Sequence, residues 1–145
     1  GTPAVNLVSA LNVSLKQILE EGLDERMQRH VIISQSCKKA LTALGLKQVP
    51  VSTEFAAHTM SAPYYPDPAR SGELLKIMKE EGVVTAGGLH AQIKDLYFRI
   101  GHMGFVDIGD VLKTIAALET ALYKTGYNFE PGTGVAAALK EYLMD

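Results

Sequence analysis

Tyr97-Phe98-Arg99-Ile100-Gly101-His102-Met103-Gly104 is the stretch on which the fold turns. Its aromatic and β-branched residues suit a pleated surface, and Gly104 closes the run. Alternation along a strand sends Phe98 and Ile100 to one face and Arg99 to the other. A guanidinium set this close to a core needs a partner. Its planar fork matches a carboxylate, taken bidentately. Gly101 and Gly104 let backbone or a ligand come near. The same pattern also fits a structural ion pair with Asp95 or Asp107, because perturbed charges serve structure as well as function.

Working outward, Val83-Val84-Thr85-Ala86 reads as a strand closed by Gly87-Gly88, and His58 to Tyr65 as another ending at Pro66. Leu46 to Val51 is short and partly alternating, a further predicted strand. Leu74, Leu75, Ile77 and Met78 mark a helix that stops at Gly82. Downstream of the arginine strand, Asp107 is placed to cap a helix carrying Ile108, Val111, Leu112, Ile115, Leu118 and Leu122, ended by Gly126. Pro131-Gly132 forms a joint, and residues 134–144 read as a short terminal helix. The first third is a helical hairpin. Leu7, Leu11, Leu15, Ile18 and Leu19 lead to a stop at Gly22. Asp24 is expected to cap a second helix bearing Met27, His30, Ile33, Cys37, Ala40, Leu41 and Leu44. The resulting expectation is an α+β fold: a small mixed or antiparallel sheet covered by helices and preceded by a helical hairpin. The leading helix is more apolar than a lone surface helix requires, so it is expected to pack against something outside this chain.

With 145 residues the chain has room for one domain with a real core. Its net charge of −2, with acids and bases interspersed, gives no footprint for nucleic acid or an anionic membrane. No run approaches the roughly 18 apolar residues of a membrane helix. A single cysteine, Cys37, excludes an internal disulfide framework and fits a reducing, intracellular compartment. Placed mid-helix among core positions, it reads as a small hydrophobe. His30, His58, His90 and His102 lack the spacing of a helical zinc pair, so no metal site is expected. The glycines form no phosphate loop, for neither Gly-Lys-Ser/Thr nor Gly-x-Gly-x-x-Gly occurs. The chain opens without Met, at Gly1-Thr2-Pro3-Ala4-Val5, which reads as a cut through a longer protein. Its last residues, Tyr142 to Asp145, carry no Ser-Lys-Leu address. Cytoplasm, peroxisome and mitochondrion stay open.

Gly87-Gly88-Leu89, ahead of Arg99-Ile100-Gly101-His102-Met103-Gly104, resembles the small-domain signature of the alanine–glyoxylate / serine–pyruvate group of class V aminotransferases. Thr2-Pro3-Ala4-Val5 is similar to the segment leading from that family's large domain into a linking helix. Glu21-Gly22-Leu23 and the Ile108–Tyr123 helix are similar too, so the resemblance covers nearly the whole chain in order. It implies the fold type I architecture, in which a large domain carries the cofactor-bonding lysine and a C-terminal small domain closes over the site. Residues 1–45 would be linking helices from the large domain, 46–126 the small α/β domain, and 127–145 a C-terminal extension packing on it. The cofactor implied is pyridoxal 5'-phosphate, and the partners are an amino acid, a keto acid, the missing N-terminal large domain and a second copy in a homodimer. By resemblance Arg99 grips the substrate α-carboxylate. Thr2 helps hold the cofactor phosphate from the neighbouring subunit, and Gly87 and Gly88 line the site. No lysine here lies in a matching motif, so no catalytic residue is assigned and the chain alone is expected not to transaminate. A stand-alone amino-acid-binding regulatory domain or an oligomerisation module is the competing expectation.

Overall fold

The computed structural model describes residues 2–67 and 70–144. Two helices open the chain, α1 (Val5–Glu21) and α2 (Leu23–Ala43), and only Gly22 separates them. At φ 89° its N–H still donates to Ile18 O, closing α1, while its carbonyl already takes Arg26 N of α2. This corrects the expected role of Asp24. With a single residue between the helices, α2 begins at Leu23 with Gly22 at its N-cap, and Asp24 falls inside the first turn beside Glu25. There both acids face the positive end of the helix dipole without capping a particular N–H.

α1 buries no residue, and Leu7 and Leu19 are 73% and 74% exposed. α2 differs along its length: its second half enters the core through Ile33, Cys37, Ala40 and Leu41. Three short strands make an antiparallel sheet: β1 (Met60–Ser61), β2 (Ala86–Gly87) and β3 (Phe98–Gly101), in the order β1-β3-β2. Met60 faces Gly101 and Ser61 faces Ile100 on one side. Ala86 faces Arg99 and Gly87 faces Phe98 on the other.

The strands are shorter than the sequence pattern implies, and the helix ends explain why. α3 (Ser71–Glu80) closes with Gly82 N on Lys79 O and Val83 N on Met78 O, the paired bonds of a left-handed glycine cap. Val83 N–H is thereby used by the helix, and of the residues after it Ala86 and Gly87 are the ones that pair with β3. α2 ends in the same way, through Gly45 N on Thr42 O and Leu46 N on Leu41 O. The strand expected over 46–51 is therefore reduced to a bridge between Gln48 and Pro63, with Val49 N on Ala62 O and Tyr64 N on Lys47 O. Pro50 and Pro63 have no N–H with which to extend it.

The core lies on one face of β3. Phe98 and Ile100 point into it, against Leu74 and Met78 of α3 and Ile115, Leu118 and Leu122 of α4 (Ile108–Lys124). Tyr65 stacks on Phe98 with ring centres 5.1 Å apart. Asp107 caps α4 as the sequence indicated. Its carboxylate accepts Asp110 N while Asp110 reaches back to Asp107 N, each at 3.1 Å. A last helix, α5 (Thr133–Met144), lies against α2 and α4. Its first turn is held by Glu119 of α4, whose carboxylate accepts Gly132 N, Gly134 N and Val135 N at 2.6, 2.7 and 3.1 Å.

Candidate functional site

β3 places Phe98 and Ile100 in the core, so Arg99 emerges on the opposite face, half-buried. Its Nε donates to Gly87 O at 2.8 Å, across the β2–β3 pairing. Neither Asp95 nor Asp107 pairs with it among the described residues, and Asp107 is engaged in its helix cap. Nη1 and Nη2 likewise have no hydrogen-bond partner among the described residues. A guanidinium with one edge tethered and the other open can receive a planar anion.

Gly87 and Gly88 lie beside it and differ in kind. A Cβ at Gly87 would meet nothing within 4 Å, whereas one at Gly88 would lie 2.5 Å from both Lys94 O and Tyr97 Cε1. Only glycine fits the second position. The crowding comes from the Lys94 backbone and from the ring of Tyr97, whose hydroxyl accepts Leu89 N at 2.9 Å and His90 N at 3.2 Å. Those two donors hold the phenol below its usual range. The sequence reading passed over Tyr97. Strand alternation was the available signal, since residues 97 and 99 share a face.

Beyond β3 the chain turns at Gly104, where α2 anchors it. Gly104 N donates to His30 Nε2 at 3.1 Å, and His30 Nδ1 in turn donates to Arg26 O at 2.7 Å. Arg29 donates to Val106 O at 2.7 Å and Gly104 O at 3.1 Å while pairing with Glu21 at the end of α1.

A polar group also lies on the core side of β3. His102 is buried and shares a hydrogen bond of 3.0 Å with Ser61 Oγ through Nε2. Burial, with the nearby Lys38 charge, holds its pKa down at about 4. Burial pushes the Cys37 thiol up to about 11, so Cys37 stays protonated and unreactive. Lys38 Nζ donates to Ala57 O at 2.7 Å, and burial lowers its pKa. The imidazole, thiol and ammonium are thus kept on the other side of the strand from Arg99.

Thr2 is exposed and stands just ahead of α1, which rests chiefly on α2. Seventeen helical residues set it about 25 Å from the Glu21 end. The structure joins Arg99, Gly87 and Gly88 in one place, while Thr2 stands at the end of α1 remote from Glu21. Lys38, the lysine buried most deeply among those described, is tied to backbone carbonyls on the His102 side.

No family model matches the chain. It is 37% identical over 142 residues to the small subunit of a soluble hydrogenase from Synechococcus, covering 94% of this chain and 35% of that protein. It is 42% identical over 107 residues to alanine–glyoxylate aminotransferase 1 of Saccharomyces cerevisiae, covering 72% of this chain and 27% of that one. Pyridoxamine–pyruvate aminotransferase of Mesorhizobium loti superposes with a TM-score of 0.92 at 28% identity, over 100% of this chain and 37% of its own. The chain spans about a third of the length of the curated relatives it matches. In sequence and in fold alike, the chain is similar to the C-terminal part of aminotransferases of the alanine/serine–glyoxylate group.

Proposed function

We propose that the full-length protein is a pyridoxal-phosphate-dependent aminotransferase that moves an amino group from alanine (or serine) to glyoxylate (or pyruvate). The observation that carries this reading is the open Nη1/Nη2 edge of Arg99, presented opposite the core beside a glycine turn. Substrates named for relatives, alanine or serine with glyoxylate, are small amino and keto acids that share one carboxylate. Arg99 would take that carboxylate and orient the α-carbon, an entropic contribution to the rate. Gly87 and Gly88 would line the same pocket without side chains.

The cofactor, when bound, supplies the electron sink for breaking the α C–H bond. Thr2 would donate its hydroxyl to the cofactor phosphate of a neighbouring subunit's site in a homodimer. The lysine would come from the large domain, against which the exposed apolar residues of α1 would pack. In this reading residues 1–45 link the domains, 46–126 form the small domain and 127–145 extend it. The isolated chain is expected to be inactive.

Expression of the full-length parent tests the proposal. It should absorb in the visible as a lysine-bound cofactor does and convert alanine and glyoxylate to pyruvate and glycine. Arg99→Ala should raise KM for both substrates about 10- to 100-fold, as loss of charge-assisted hydrogen bonds predicts. A full-length protein with no bound chromophore, or an Arg99→Ala variant with unchanged KM, would overturn it.

A further inference from the structure

The geometry points to Tyr97 as a positioning residue that fixes which edge of Arg99 meets the substrate, an inference that rests on the carboxylate role proposed above. The connection runs through three contacts. Tyr97 Oη accepts Leu89 N and His90 N, at 2.9 and 3.2 Å, and so holds down the segment that follows Gly88. The absence of a side chain at Gly88 lets the ring reach it, since a Cβ there would sit 2.5 Å from Tyr97 Cε1. With the turn pinned, Gly87 O stands 2.8 Å from Arg99 Nε and accepts its proton. Both ends of this latch come from β3 and the residue just before it: Arg99 lies within the strand, and Tyr97, which bridges to Tyr64, immediately precedes it.

Two consequences follow. An arginine side chain is long and rotamer-rich, and an untethered one loses that freedom only when substrate arrives. Here part of the ordering is complete beforehand. The tether also selects a binding mode. A carboxylate can approach a guanidinium along the Nε–Nη side or end-on across Nη1 and Nη2. Gly87 O occupies the Nε side, so the carboxylate binds end-on. Tyr97 does not touch the substrate and acts through the turn and through Arg99.

The test is a double-mutant cycle in the full-length holoenzyme. Tyr97→Phe keeps the ring and removes the acceptor. Gly88→Ala breaks the latch from the other side, because its Cβ would meet both the Tyr97 ring and the Lys94 backbone and must displace the turn. Each should raise KM for the amino donor and the keto acceptor about tenfold, the scale of one hydrogen bond to a charged group, with a much smaller change in kcat. In an Arg99→Ala background, neither should raise KM further. If Arg99→Ala raises KM and both latch variants leave it unchanged, Tyr97 has no positioning role and the carboxylate reading stands. If the latch variants raise KM equally with and without Arg99, they act by another route and the inference is wrong. If Arg99→Ala itself is silent, the carboxylate reading fails and the latch fails with it.

Discussion

Arg99 gives one hydrogen bond to its own chain and leaves two nitrogens without a hydrogen-bond partner among the described residues. That division makes its replacement by lysine informative. Arg99→Lys retains the charge but has no fork and no Nε to tether, so it should leave KM close to that of Arg99→Ala in steady-state assays of the full-length enzyme. For Thr2, the proposed phosphate contact predicts that Thr2→Val weakens cofactor affinity about tenfold, read by titrating apo-enzyme with pyridoxal phosphate. Unchanged affinity would leave Thr2 as a plain lead-in to Pro3. Arg99 was legible in the sequence because a cation interrupts an apolar alternation. Whether it met a protein acid or an open face was not, because that depends on where Asp95 and Asp107 end up, and Asp107 is committed to a helix cap. Tyr97 was missed because its role depends on a turn ten residues upstream, and nothing local marks a phenol as an acceptor for backbone N–H groups.

Among the elements, helices were read closely and strands too generously. A periodicity of 3.6 sustained over many residues specifies a helix by itself, and Gly22, Gly45, Gly82 and Gly126 stop helices where their positions indicated. Strands two to four residues long carry little periodicity, and the caps of α2 and α3 consume residues whose composition reads as strand. The start of α5 depends on a contact that sequence does not display. Glu119 lies 14 residues before Thr133, buried on α4, yet it serves as the acceptor for α5's first N–H groups. Glu119→Ala should lower stability by about 2–3 kcal/mol, seen as a reduced urea midpoint, because the buried Gly134 N–H and the part-buried bonds from Gly132 and Val135 lose their acceptor. Glu119→Gln keeps one acceptor oxygen and should lose less. Gly134 is equally constrained, since a Cβ there would lie 2.8 Å from Leu44 Cδ1 and 2.9 Å from Ile115 Cγ2.

At the scale of the whole molecule, acid should act in two stages. His102 titrates near 6.5 when unfolded and near 4 when folded. The unfolded chain therefore takes up the proton first, and stability falls as pH drops from 6.5 to about 4, by on the order of 3 kcal/mol. Below that the loss from this group levels off. Glu21, whose pKa Arg29 and then Arg26 hold down at about 2, behaves as carboxylates do: its contribution is complete above 4.5 and disappears as pH falls toward 2. Urea midpoints measured from pH 7 to 4 should show the first stage, and His102→Gln should flatten it. The uncovered leucines of α1 predict self-association of the isolated chain, visible as a mass above that of a monomer in light scattering. Leu7→Lys with Leu19→Lys should reverse it.

Glu21 is the final residue of α1, and the arginine that grips it also holds the loop only a few positions past Arg99. The first helix is thus a handle attached, through one side chain, to the end of the strand that presents the fork. If that handle swings, the strand's end is tugged with it. Because the attachment is ionic and open to solvent on part of its surface, dissolved salt sets how tightly the two move together.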